Sequence, residues 1–565
     1  MSQANNKRKI KDLTQLLLGV IIIILLNYIG QYIFERFDLT QEKRYSLNEA
    51  TKTQLENLED IVYVKVYLEG ELPANFKRLR DATREMLDEF RIYAGDNIEY
   101  EFVNPSENSD PEIKNQVFQE LSKKGLQYSN VYVNEGDKRS EQIIFPGAII
   151  TYRDKEIPLQ LLQSQVGSAP EVMLNNSIQQ LEYELMSSIK QVSATSAKTI
   201  GIIQGHGELL PLEMADVTEE LRDFYGIQEV TINGELDALD YLDAIIIAGP
   251  DSAFTEKDKY MIDQFVMNGG KILWLVEPVY ASTDSIRKNG IAVGVPRDLN
   301  LNDQLFKYGA RINSDFVLDL QSLPIPVVTG MMGNQPKQEL FPWYYYPLLM
   351  STEKHPIVSG IDAVKTEYIS SIDTVGSSKI KKTPLLLTSE YSKVSNAPHR
   401  VSLSILREKP DERQFNKGPF ISALLLEGEF ESVFKNRLSG AVTDNPKFRF
   451  KESSVPTKMI VVSDADIIRN DVNFNTNEFF GLGYYKYTNR TYGNKEFIVN
   501  AMNYLLEDDG LINARSKEFT IRLLDKQRVD KEKSRWQIFN TGLPLIVVII
   551  FGFIHAIIRK RKYAK

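Results

Sequence analysis

The stretch AIIIAGPDSAFTEKDKYMIDQFVMNGGKILWLV, residues 244–276, decides the fold class. Residues 244–248 form an unbroken apolar run that stops at Gly249-Pro250-Asp251. Residues 255–267 carry helical spacing, with Thr255 placed to cap the first turn and Asn268-Gly269-Gly270 to end it. Residues 271–276, KILWLV, are a second apolar run. A strand without polar alternation has both faces covered, so two such strands joined by a helix predict a parallel sheet between layers of helix. The pattern continues upstream, with a strand at 198–204 (KTIGIIQ), a helix at 212–224 and a strand at 228–232. Far downstream, a strand at 458–463 (KMIVVS) and a helix at 494–506 are expected to complete the same sheet. The residues between, about 290–455, have weaker periodicity, with strands at 385–388, 401–406 and 421–427, and read as an insertion.

The first part of the chain has a different order of elements. Ser46 is placed as a helix cap with Glu49 as its capping-box partner, ahead of Leu47, Ala50, Leu55 and Leu58. Residues 61–68 (IVYVKVYL) alternate as a strand does, a helix follows at 74–93, a strand at 97–103 and a helix at 111–124. Two strands, 128–134 and 142–152, then read as a hairpin around Glu135-Gly136-Asp137-Lys138. This β-α-β-α-β-β order predicts a thioredoxin-like layer. A helix at 176–192 joins it to the next domain.

A chain of 565 residues implies about three to four domains. With 42% apolar and 25% charged residues it is an ordinary globular composition. Cysteine is absent, which removes disulfides, thiolate metal sites and a cysteine nucleophile, including the redox chemistry of a thioredoxin. Four histidines (His206, His355, His399 and His555) do not make a histidine-rich metal site, and none is expected. The net charge of −9 is uneven: Lys7, Arg8, Lys9, Lys11 and Asp12 leave the first twelve residues at +3, residues 559–565 carry +5, and −17 falls between. An acidic middle argues against nucleic-acid binding, which needs cationic surface to displace counterions.

Those basic ends flank two apolar runs. Residues 13–34 are uncharged and long enough to cross a bilayer core, and no small-x-small cleavage site follows them. Residues 536–558 are the second run, with Trp536 and Phe539 at one end and the RKRK block directly after the other. The positive-inside tendency places both termini in the cytoplasm, with the bulk of the chain on the far side of the membrane. A charged helix at 517–535 is expected to lead straight into the second span.

Three motifs could carry chemistry. Gly205-His206-Gly207-Glu208 follows the strand at 198–204, where ligands bind in open α/β sheets and a glycine turn brings N–H groups toward an anion. The same residues also suit a tight turn with a histidine cap. Asp464 and Asp466 follow the strand at 458–463, where they could bind a cation, act as acid and base, or cap the next turn. If all four side chains converge, they form one ligand site. Trp343, Tyr344 and Tyr345, within FPWYYYP, suit a sugar platform, a protein contact or core packing equally, and Tyr484-Tyr485-Lys486-Tyr487 is a second aromatic group. There is no Walker A motif, so the chain is not an ATPase, and no G-x-S-x-G elbow. No catalytic residue and no cofactor is assigned.

Taken in order, FDLTQEKRYSL, IGIIQGHGE, the 244–276 stretch, FPWYYYPLL, HPIVSGIDAV, VVSDADIIRND and NTGLPLIVVIIFGFIHAIIRKRK resemble the GldG family, gliding-motility-associated ABC-transporter accessory proteins of Bacteroidetes. The central domain also resembles one shared with an intraflagellar transport protein, related to class I glutamine-amidotransferase-like folds, whose nucleophilic cysteine is missing here. The resemblance implies two partners, a multi-span ABC permease and a separate ATPase subunit, and a role in gliding motility. A periplasmic protein or polysaccharide is the expected outer ligand.

The expected architecture is therefore α/β: two membrane helices flanking a thioredoxin-like domain and a Rossmann-like parallel-sheet domain with a β-rich insertion. Its divisions are 1–37 (tail and membrane helix), 38–175 (thioredoxin-like), 176–510 (Rossmann-like, insertion at about 290–455), 511–535 (juxtamembrane helix) and 536–565 (membrane helix and basic tail). The expected function is that of a non-enzymatic accessory subunit. The rivals are an anchored periplasmic hydrolase using Glu208, Asp464 and Asp466, and a carbohydrate-binding module built on Trp343.

Overall fold

The computed structural model describes residues 14, 16–25, 28, 46–108, 110–135, 138–162, 170–193, 198–332, 335–350, 355–376, 378–407, 409–438, 449–507, 510–516 and 526–563. The chain is a mixed α/β protein in two compact units, 1–517 and 518–565.

The first sheet is built from β1 (Val62–Val66), β2 (Ile98–Phe102), β5 (Gly147–Tyr152) and β6 (Lys155–Gln160), in the order β2-β1-β5-β6. β1 and β2 are parallel because helix α2 (Ala74–Ala94) crosses between them, and β5 and β6 run antiparallel to their neighbours. Alternating burial along β1 follows from Val62, Val64 and Val66 facing one core. Helix α1 (Glu49–Glu56) is capped by Asn48, whose side chain accepts from the Ala50 N–H at 3.0 Å, and not by Ser46. Asn48 stands immediately before the first helical residue, where its oxygen reaches the exposed N–H groups. Residues 142–152 are likewise not one strand. β3 (Ser129–Glu135) and β4 (Lys138–Ile144) form the hairpin, Phe145-Pro146 breaks the run, and β5 leaves to join the main sheet. Proline cannot donate to a ladder, which is the physical reason for the break. Helix α3 (Pro111–Lys123) lies between β2 and β3.

Helix α4 (Pro170–Ser193) packs Leu181, Leu185 and Ile189 into the core of this first sheet. Leu511, Ile512 and Ala514, from a 3-10 turn at Leu511–Ser516, join the same core. The expected helix over 511–535 is therefore corrected at its start: 511–516 is a packed 3-10 turn, 517–525 lie outside the described residues, and 526–535 are helical.

The large sheet has nine strands. Five of them are parallel: β7 (Thr199–Gln204), β8 (Gly226–Thr231), β9 (Ala244–Ala248), β10 (Lys271–Leu275) and a late strand at Thr457–Val462. The insertion supplies the other four, β11 (Ala310–Ile312), β14 (Ile372–Thr374), β15 (Lys381–Leu387) and β16 (Ile421–Gly428), while its β12 (Ser322–Met332) and β13 (Gln335–Leu349) belong to a separate small sheet. With the late strand named β17, the order is β11-β14-β16-β17-β10-β9-β7-β8, β15 pairing with β16. β17 lies beside β10, so the strand expected to return to this sheet does so across an insertion of more than a hundred residues. The antiparallel β16 then covers the edge of β17.

Both faces are buried, with a period of two along each strand. Ile245, Ile247, Ile272 and Trp274 point into one core, and Ile246, Ala248, Leu273 and Leu275 into the other. Helix α5 (Ala215–Arg222) and helix α7 (Asn494–Leu506) close one face, and helix α6 (Glu256–Met267) the other. Thr255 caps α6 by accepting from the Asp258 N–H, as the sequence predicts. The expected helix over 212–224 is a 3-10 turn at Pro211–Met214 followed by α5, and 401–406 is a short strand (His399–Ser402) ending in a 3-10 turn. β12 and β13 make a long hairpin with Val328, Met331 and Leu340 exposed toward its tip.

Among the described residues, one helix is long and apolar enough to cross a membrane, Glu532–Arg561 within helix α8 (Lys526–Tyr563). The N-terminal run contributes a shorter apolar helix, Leu16–Leu25, and residues 26–27 and 29–34 of it lie outside the described residues.

Candidate functional site

Parallel strands deliver their carboxyl ends to one edge. β7 runs into Gly205–Glu208, β9 into Gly249-Pro250-Asp251, β10 into Val276-Glu277, and β17 into Ser463-Asp464-Ala465-Asp466. Backbone bonds stitch these loops together: the Asp251 and Ser252 N–H groups donate to the His206 carbonyl at 3.0 Å, and the Gly249 N–H to the Leu275 carbonyl at 2.9 Å. Gly207 has φ +74°, and a Cβ there would lie 1.7 Å from the Asp251 carboxylate, so the turn requires glycine.

His206 is buried. Its ring stacks on Phe254, centroids 3.8 Å apart. Nδ1 lies 3.3 Å from a Glu208 oxygen and Nε2 3.2 Å from an Asp258 oxygen on α6. The other Glu208 oxygen accepts the His206 backbone N–H at 2.7 Å. Asp258 also accepts from the Thr255 hydroxyl and the Gly234 N–H, each at 2.8 Å. Burial opposes charging the ring, but Glu208 and then Asp258 outweigh it, and the His206 pKa is raised. The two carboxylates hold opposite edges of one imidazole, which ties the β7 turn to the start of α6.

Asp464 and Asp466 lie in a different group at the same edge. Ligating oxygens of Glu277, Asp464 and Asp466 all fall within 4.8 Å of one another. Asp464 is fully buried and accepts from the Glu367 N–H at 3.0 Å and the Asp466 N–H at 2.8 Å. Glu277 accepts from the Ala465 N–H and pairs with Arg297, each at 3.3 Å. Arg469 donates to Asp466 at 2.8 Å and pairs with Glu213 at 3.3 Å. Burial, followed by the Asp466 charge, pushes Glu277 up to about 7, and the same two causes push Glu367 up to about 7. Burial raises Asp464 well above the carboxylate range, while the Asp466 charge raises Arg469. Four carboxyls meet two guanidiniums and the Lys365 ammonium, which stands 3.9 Å from Glu367, and their crowding favours bound protons. An all-oxygen donor set of this kind suits a hard cation, but the bonds from Arg297, Arg469 and the backbone already occupy most of its oxygens.

No hydrogen bond or ion pair joins His206 or Glu208 to Asp464 or Asp466 among the described residues. The four residues reach one sheet edge as two separate groups, with the Gly249 turn between Leu209 and Ala465. Glu208 is bonded to His206 and is not available to a hydrolytic pair with Asp464. Glu277 and Glu367 complete the carboxyl group and were not among the residues expected. Glu277 directly follows the KILWLV strand, so the rule that selects Asp464 also selects it. Glu367 arrives from the insertion, and no local pattern marks it.

The aromatic platform is corrected by burial. Trp343 and Tyr345 are 1% and 2% exposed, and Tyr344 is buried against Phe415. Trp343 and Tyr345 pack at a centroid distance of 5.1 Å, and the Tyr345 hydroxyl bonds His399 Nε2 at 2.8 Å. Tyr485 is buried too, donating to the Pro324 carbonyl at 2.6 Å. A sugar face needs solvent access, and these rings form a core in the insertion instead.

Comparison with known proteins adds the family. No curated protein matches the chain. The solved N-terminal domain of mmIFT52 aligns at 14% identity over 55% of this chain and 99% of that domain, with a TM-score of 0.32, too loose a likeness to carry an argument. A domain of unknown function, DUF7088, matches residues 41–151. The family described as an ABC-type uncharacterized transport system matches residues 197–501. That match spans more than half of the chain, which therefore belongs to this family of ABC transport-system auxiliary proteins.

Proposed function

We propose that the chain is a non-enzymatic, two-pass inner-membrane subunit of a gliding-motility ABC transport complex, a member of the GldG type. Both termini are cytoplasmic, and the two sheets lie in the periplasm. The observation that carries this reading is the helix Glu532–Arg561 on a chain of a transport family: 30 residues, with apolar side chains such as Ile549, Phe551 and Phe553 exposed. Thirty helical residues span about 45 Å, more than the roughly 30 Å of a bilayer core. Arg559, Lys560, Arg561 and Lys562 follow at the cytoplasmic end. Residues 13–34 serve as the first span.

The order β2-β1-β5-β6, with β5 antiparallel, supports a thioredoxin-like domain over 38–175. The five parallel strands support a Rossmann-like domain over 176–510, interrupted at about 290–455. The two spans dock on a multi-span permease, and a separate ATPase acts from the cytoplasm. On the periplasmic side, the ligand approaches the sheet edge at Asp466, the partly exposed end of the Asp464–Asp466 loop, with buried Asp464 and the Gly205–Glu208 turn as its support. A periplasmic protein or polysaccharide is the occupant.

Purification through a C-terminal tag in mild detergent is expected to bring down a polytopic permease and a nucleotide-binding subunit. Alkaline phosphatase fused within the middle region is expected to be active, and inactive at either terminus. Complete extraction of the chain by carbonate, or the reverse fusion pattern, would sink the reading.

A further inference from the structure

A cavity of about 340 Å³ lies where α4, which packs on the first sheet, faces α5 and α7 of the second. Its lining shares no residue with either of the sites discussed above. Its volume falls in the range of small-molecule sites, which favour seams between packed layers.

The lining has two opposed chemical characters. Glu184 from α4, Glu220 from α5 and Glu496 from α7 all reach the cavity. Their carboxyls remain open to water, the side chains of Glu184 and Glu220 being 22% and 44% exposed, yet protein surrounds them. Enclosure raises the pKa of each, with burial the largest cause in every case. Glu496 has no ion pair among the described residues. Lys495, the nearby ammonium, is committed to Asp216 at 2.8 Å and stands 3.8 Å from Glu220.

The second character is a single guanidinium. Arg515 lines the cavity with its side chain only 8% exposed. It makes one long bond to Glu184, at 3.3 Å, and its Nε–H meets no acceptor among the described residues. Burying an under-bonded guanidinium is costly, since each lost partner leaves a charged donor desolvated. Tyr183 gives it a ring face at 5.0 Å, which does not replace an acceptor. Phe224 and Tyr492 add apolar wall.

We propose that this cavity binds a small zwitterion of the class of a free α-amino acid or short peptide, its carboxylate on Arg515 and its ammonium group among Glu184, Glu220 and Glu496. A carboxylate offers the guanidinium the paired acceptors it lacks. An ammonium ion supplies a cation to Glu496, which has no ion pair among the described residues, and a further one to Glu184 and Glu220, whose contacts with Arg515 and Lys495 are long, at 3.3 and 3.8 Å. Tyr183, Phe224 and Tyr492 supply aromatic surface around it. Neither a simple anion nor a simple amine answers both needs.

The test is calorimetric titration of the full chain in detergent with the free α-amino acids and a set of dipeptides, with ethanolamine and acetate as single-charge probes. At least one α-amino acid or dipeptide is expected to bind, at least tenfold more tightly than either single-charge probe. Glu496→Gln, at an exposed position where folding is not at stake, is expected to weaken that binding at least tenfold, and Arg515→Gln at least as much. The proposal is overturned if no amino acid or dipeptide binds, if ethanolamine or acetate binds as tightly, or if Glu496→Gln leaves the affinity unchanged.

Discussion

His206 stands between Glu208 and Asp258 at 3.3 and 3.2 Å, while at the same sheet edge Glu277, Glu367, Asp464 and Asp466 crowd together around Arg297, Arg469 and Lys365. The two groups have the same address in the fold and differ in which side chain takes the proton. In the first, a base is placed between acids: two flanking carboxylates favour the charged form of one imidazole. In the second, acids crowd one another: burial and mutual repulsion raise the carboxyls themselves. Position at the carboxyl ends of parallel strands therefore does not define a site by itself. A base held between acids makes a latch, and acids crowded together make a cluster that binds protons.

Breaking the latch is expected to have the largest effect. His206→Ala leaves Glu208 and Asp258 buried without their shared cation, a loss of about 3–5 kcal/mol below pH 6.5, where the imidazole is charged. A large fall in the thermal midpoint of the purified chain is the readout. A fall no greater than that of a surface substitution would erase the contrast between the groups.

A smaller effect is expected from Gly207→Ala. The added Cβ meets Asp251, whose exposed carboxylate can swing aside, so the left-handed backbone sets the cost at about 1–2 kcal/mol. Gly205→Ala, with φ +119° and Thr231 at 3.1 Å, tests the same turn at its other glycine.

The smallest effect carries the opposite sign. Glu277→Gln removes one of the crowded charges and is expected to stabilise the chain by about 1 kcal/mol at pH 8, where the wild type must ionise a group whose pKa is about 7. The pH profile separates the two groups. For Glu277 and Glu367 the folded pKa lies above the usual 4.5, so the fold binds more protons than the unfolded chain between 4.5 and about 7, and stability falls as pH rises through that window. For His206 the folded pKa is raised above 6.5, so its contribution is complete below 6.5 and is lost as pH rises through the folded value. Glu277→Gln should flatten the lower part of an unfolding-midpoint profile, and His206→Gln the upper part. A profile unchanged by both would show that neither group titrates as described.

Much of the large sheet was legible because its strands are apolar on both faces. Residues 244–248 and 271–276 became β9 and β10 almost residue for residue, with Thr255 as the cap of α6. The return of residues 458–463 to the same sheet was legible for the same reason: so apolar a strand has nowhere else to bury both faces. Ser46 lost the helix cap to Asn48 because two polar residues compete within one turn, and only the backbone path selects between them. Of the site, Asp464 and Asp466 were legible as the end of a parallel strand, and Glu277 was available to the same rule. Glu367 was not, since it meets Asp464 across 97 residues of chain.

By itself, the amino-acid sequence determined the alternation of strand and helix, the apolar C-terminal helix with its basic flank, and the absence of thiol chemistry. Periodicity, charge and composition are local properties that survive being read one residue at a time. Only the tertiary structure decided that Trp343 and Tyr345 are core and not surface, that His206 meets a carboxylate on a helix fifty residues away, and that Arg515 lines a cavity with three carboxyls from other elements. Each of these depends on which distant groups surround a side chain, because burial and the balance of nearby charge are properties of a neighbourhood and not of a residue type.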